Sequence, residues 1–182
     1  MRFVLSSIVG LLLVINSASA SEWVLRSEES HLGFVGTQNG SEFEGSFGEF
    51  EADIVFDPDE PEAASVEVVV DISSFHWADE DHHTLAMSPD WFAQADHPTA
   101  VFQSNNFRHV EGSSYEAEGT LTLKSVTLAY TLPFELSIEG DMAHMISFSE
   151  ILRHDFGIGT GEVDSWFGNE VALSISIVAD RN

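Results

Sequence analysis

"VTLAYTLPFELSI", residues 126–138, alternates without a slip: Val126, Leu128, Tyr130, Leu132, Phe134, Leu136 and Ile138 on one side, Thr127, Ala129, Thr131, Glu135 and Ser137 on the other. A period of two over such a length is a strand with one buried face. At about 3.3 Å per residue the stretch spans roughly 40 Å, more than a small sandwich needs. Pro133 cannot donate to a ladder, so a distortion is expected there.

The same alternation recurs at Val171, Leu173, Ile175 and Ile177, and at Val66, Val68, Val70 and Ile72. Shorter candidates run over 23–25, 32–35, 43–56, 100–107, 115–123 and 145–151, separated by Gly, Asp, Asn and Pro. Eight or nine strands with short connections favour antiparallel neighbours, hence an elongated barrel. Only 73–98 is long enough to hold something else. There Ser88-Pro89-Asp90 offers an N-cap, a first-turn proline and an acid, which predicts a short helix over residues 88–95.

Residues 1–20, with Arg2, an apolar run from Phe3 to Ile15 and Ala18-Ser19-Ala20, read as an export signal peptide. Residues 21–182 are then expected to form one soluble domain, without linker, repeat or later apolar run of spanning length. Removing Arg2 leaves five basic residues against 31 acidic ones, a formal charge of −26. Such a body repels nucleic acids and anionic lipid, and it suits a salty exterior that screens self-repulsion. With no cysteine, thiolate metal sites and thiol nucleophiles are excluded.

Chemistry could reside in "HWADEDHHTLAMSPDWF", residues 76–92. His76, Asp79, Asp81, His82 and His83 are plausible ligands for a divalent ion, which would make the chain a metal-dependent enzyme. Adjacent histidines diverge, however, and the spacing matches neither HExxH nor a calcium loop, so a solvated loop is preferred. There is no GxSxG elbow, and Gly157-Ile158-Gly159-Thr160-Gly161 lacks the lysine of a phosphate loop. Fourteen Phe and four Trp remain, and eight strands can enclose either packed side chains, as in a filled structural or interaction barrel, or a ligand.

Five blocks carry a resemblance: "GSFGEFEADIVFDPDEP" (45–61), "ASVEVVVDISSF" (64–75), "SPDWFAQADHPTAVFQS" (88–104), "YEAEGTLTLKSVTLAYTLPFEL" (115–136) and "RHDFGIGTGEVDSWFGNEVAL" (153–173). In this order they resemble the YceI-like family of exported lipid-binding proteins. The resemblance implies an all-β, eight-stranded, lipocalin-like antiparallel barrel whose tunnel holds a polyisoprenoid or similar long-chain lipid in the periplasm. It implies no catalysis, no metal and no cofactor beyond that lipid. Pairing of two copies and transient membrane contact are compatible with it. Departures are Arg26, Glu29 and Ser30 in the first strand region, where the family often has an acid and a His-Ser pair, and a missing basic residue near His82 and His83.

The scarcity of basic residues favours a neutral head such as a quinone over a pyrophosphate, which wants several charge-assisted donors. The expected tunnel wall takes one face per strand: Phe34, Phe47, Phe50, Val68, Val70, Phe102, Leu121, Leu132 and Phe134, capped by Trp91 and Phe92. Arg153 and His154 are the candidates for a polar head contact, a structural ion pair being the competing role of Arg153. The histidine-bearing crossover is the expected gate.

Overall fold

The computed structural model describes residues 21–77 and 80–182; the expected signal peptide and Asp79 lie outside them. Eleven strand segments form one antiparallel sheet closed on itself: β1 (Ser21–Leu25), β2 (His31–Gln38), β3 (Ser41–Phe47), β4 (Phe50–Phe56), β5 (Ser65–Asp71), β6 (Phe75–Trp77), β7 (Thr99–Glu111), β8 (Ser114–Leu123), β9 (Val126–Glu139), β10 (Met142–Leu152) and β11 (Glu170–Arg181). β1 pairs with β4 and β11, while β2 pairs with β3 and β11. β4 pairs with β5, and β3 with β6. Thus β1–β2, β3–β4 and β5–β6 are three broken strands, and the molecule is the expected eight-stranded barrel.

The three breaks lie at one level and make a crease across neighbouring strands. One is the 3-10 turn Ser27–Glu29, the second falls at Gly48-Glu49, and the third is the 3-10 turn Ile72–Ser74. Backbone bonds cross it from Gly48 N–H to Ser74 O (3.2 Å) and from Asp71 N–H to Glu49 O (3.0 Å). The Asp71 carboxylate caps the third break by accepting from Ser73 N–H at 2.8 Å. Creases of this kind bend a sheet so that it can close.

The helix expectation needs correcting. The single helix among the described residues, α1, is Glu80–Met87, not 88–95. Ser88-Pro89 ends it, because a proline disfavours helical geometry in the residue before it. The chain then turns tightly, with Trp91 N–H and Ala93 N–H both donating to Ser88 O (3.0 and 2.9 Å) and Ala93 at φ 49°.

Both ends are closed by side chains. At one end Phe56 stands edge-on to Tyr115 (5.5 Å between ring centres), and Tyr115 stacks on Phe134 (5.5 Å). At the other end the crossover meets the segment 153–169. Gly159 N–H donates to Asp90 O (2.7 Å) and Gly168 N–H to Thr37 O (3.0 Å).

Candidate functional site: an apolar tunnel inside the barrel

Between these closures the inward side chains leave space unfilled. A cavity of about 200 Å³ lies under the crossover, and a second of about 110 Å³ lies toward the Tyr115 end. Val68, Phe102, Leu132, Met145 and Ile177 line both, forming a waist between them. The alternation in each strand accounts for this geometry: one face points in, and rings and branched chains along it leave a channel that packing has not filled.

Of the expected wall, Phe34, Phe47, Phe50, Val68, Val70, Phe102, Leu121 and Leu132 line the larger cavity, as do Trp91 and Phe92. Phe134 lines only the smaller one. Sequence reasoning passed over Val171, Leu173, Ile175 and Ile177, whose alternation had marked a buried face, and Phe75 and Trp77, which sit in the short β6 inside the supposed loop. Phe34 lies across Gly45, where a Cβ would come within 2.2 Å of the ring, so only glycine leaves room for it.

Thr37, Tyr130 and Arg153 are among the residues that line the larger cavity, whose surface is almost wholly apolar. Tyr130 O–H donates to Ser149 Oγ at 2.7 Å, and burial pushes its phenol pKa up, so the hydroxyl stays neutral. Trp91 Nε1 is buried and meets no acceptor among the described residues.

Arg153 is buried and fully engaged. Its Nε donates to Gly168 O, its Nη1 to Ile158 O and Gly159 O, and its Nη2 to Asp164 O, Phe167 O and Asp164 Oδ1, at 2.5 to 3.0 Å. A guanidinium has five N–H groups, so none is left over for a ligand head. The competing structural role is the one the geometry gives it. His154 does not reach the cavity; its half-exposed ring pairs with Asp164 Oδ1 at 2.7 Å. Hydrogen bonding from His154, then from Arg153, holds the Asp164 carboxyl below the usual carboxylate range.

The crossover histidines are also separated. His82 stacks on Trp77 (4.0 Å), itself stacked on Phe43 (3.8 Å), and its Nε2 meets Gln38 Nε2 at 3.1 Å. His83 Nδ1 instead faces Phe75 O at 2.9 Å. Among the described residues no three His, Asp or Glu side chains are grouped as a metal site would require.

A family model described as the YceI-like domain matches residues 23–179. The Salmonella newport (strain SL254) protein YceI is 30% identical over 183 residues, covering 94% of this chain and 93% of its own length. The crystal structure of BcnA from Burkholderia cenocepacia superposes with a TM-score of 0.81 at 28% identity, over 85% of this chain and 98% of BcnA. A polyisoprenoid binding domain from Saccharophagus degradans, implicated in plant cell wall breakdown, shares the fold with a TM-score of 0.70 at 14% identity, over 90% and 99% of the two chains.

Proposed function

This chain belongs to the YceI-like family, and from that premise we propose that it is a periplasmic binding protein that carries a polyisoprenoid or similar long-chain lipid in its barrel. The observation that carries the reading is the pair of adjoining apolar cavities, about 200 and 110 Å³, that share five lining residues. A flexible hydrocarbon chain suits such a space, and its burial contributes about 25 cal/mol per Å² of apolar surface without any charged partner. The fold likeness to a polyisoprenoid binding domain agrees with it.

The head group follows from the wall. Arg153, the cation at the cavity, has spent its donors on backbone carbonyls and Asp164. A pyrophosphate would be buried without compensating donors, whereas a quinone asks for at most one or two neutral hydrogen bonds. The ligand therefore has a neutral, quinone-like head, and no chemical step is assigned to any residue. Titration of the tryptophan fluorescence with a prenylated benzoquinone and with a polyprenyl pyrophosphate of equal chain length tests this. Saturable binding of the quinone is expected, and preference for the pyrophosphate would overturn the head-group assignment.

A further inference from the structure

The β9–β10 ladder stops early. It pairs Met142–Ile146 with Glu135–Glu139 and goes no further. Beyond that point both strands continue, but each pairs only with its other neighbour. β9 stays paired with β8 down to Val126, and β10 with β11 up to Leu152. Pro133, lacking an N–H, falls where the pairing stops. Two side-chain bonds tie the unpaired edges: Ser147 O–H to Pro133 O (2.6 Å) and Tyr130 O–H to Ser149 Oγ (2.7 Å). Together they hold the edges far less firmly than a run of ladder bonds would.

Behind this seam is the larger cavity, lined by Tyr130, Leu132 and Ile151. In front of it Ile146, Phe148 and Leu152 project from the outer face of β10, with Phe148 72% exposed. The outer positions 127–133 of β9 and 172–176 of β11 carry Thr, Ala, Pro and Ser, with Glu150 between Phe148 and Leu152 and with Glu135, Glu170 and Glu118 at the margins, opposite Ile146, Leu152 and Thr131. Away from this face the exposed strand positions carry acids, as at Glu42, Glu44, Glu51 and Glu67.

We propose that the β9–β10 seam is a lateral portal through which the lipid enters and leaves the barrel while the Phe148 face rests on a zwitterionic bilayer. This rests on the carrier reading above. Opening it costs two side-chain hydrogen bonds and leaves the flanking ladders intact. A body with 31 acids can bring this face to a membrane with little repulsion, and its apolar side chains gain by leaving water. The crossover is the poorer route, being pinned by the Phe43–Trp77–His82 stack and by His83.

The test uses a benzoquinone with a three-isoprene tail, read by quenching of tryptophan fluorescence, and phosphatidylcholine vesicles as acceptor. Transfer from the wild-type protein should quicken as vesicle concentration rises. The Ile146→Ser, Phe148→Ser double variant should slow it at least about fivefold through the lost apolar contact, with affinity in vesicle-free solution unchanged. Ser149→Ala should quicken transfer about threefold or more by releasing one tie. A rate independent of vesicle concentration, or unmoved by these changes, overturns the portal. So does a double variant that only converts a dimer to monomers in ultracentrifugation, which would make this face the seat of a second copy. Failure of the wild type to bind the quinone without vesicles is the separate result that removes the carrier reading itself.

Discussion

Arg153 Nη2 and Asp164 Oδ1 stand 2.5 Å apart, joining the start of the segment 153–169 to its far side. The same guanidinium collects five backbone carbonyls, from Ile158, Gly159, Asp164, Phe167 and Gly168. One buried side chain thus organises the loop that closes the tunnel beneath Trp91. Replacing it with lysine leaves several carbonyls unpaired.

Arg153→Lys should lower unfolding free energy by about 3 kcal/mol, since a single ammonium cannot satisfy acceptors spread around a planar fork. Urea denaturation checks this. Loss of under about 1 kcal/mol would mean that the loop is held by packing instead.

Strong acid should loosen this closure. The Asp164 carboxyl titrates below its ordinary value because His154 and Arg153 donate to it. A depressed folded pKa stabilises the fold above the unfolded carboxylate value and loses that contribution as pH falls through the folded one. Melting temperature followed from pH 6 to pH 2 should fall below about pH 4, with Asp164→Asn showing a shallower fall than wild type. Parallel curves would show that the interaction contributes nothing to stability.

Blocking the waist should shorten the chain that fits. Val68 and Phe102 line both cavities, so Val68→Phe or Phe102→Trp separates them. Affinity for quinones with tails long enough to pass the waist should fall at least about tenfold, while short-tailed quinones lose little. Equal losses for all lengths would show that the chain does not cross the waist.

Much of this was legible in the sequence because period-two patterning writes the barrel directly. Residues 126–138 and 171–177 form β9 and β11 as their alternation predicts, and Pro133 marks where a ladder ends. The crossover was misread for a local reason: Ser88-Pro89 serves equally as a helix start or a helix stop, and only tertiary packing distinguishes them. The ion pair of Arg153 is readable as an alternative in the sequence, but its carbonyl partners are not, because donors spent on carbonyls five to fifteen residues away leave no mark on local pattern. The strand read as continuous over 43–56 is creased at Gly48, a break whose purpose is visible only beside the breaks in its neighbours.

Salt should stabilise the protein. With 31 acids against six basic residues in the whole chain, the folded state repels itself. Raising sodium chloride from about 10 mM to about 1 M shortens the screening length from roughly 30 Å to 3 Å and should raise the melting temperature by about 3 °C or more. A melting temperature indifferent to salt would show the acids to be well separated already.

The central claim is a hollow barrel that leaves its compartment loaded. Native mass spectrometry of protein recovered from the periplasm of an expressing cell, followed by lipid extraction, tests it most directly. The account predicts a mass above that of the polypeptide by one isoprenoid-chained neutral lipid, recovered intact in the organic phase. A bare polypeptide mass with nothing extractable, from protein that also fails to take up a prenylated quinone afterwards, would contradict it.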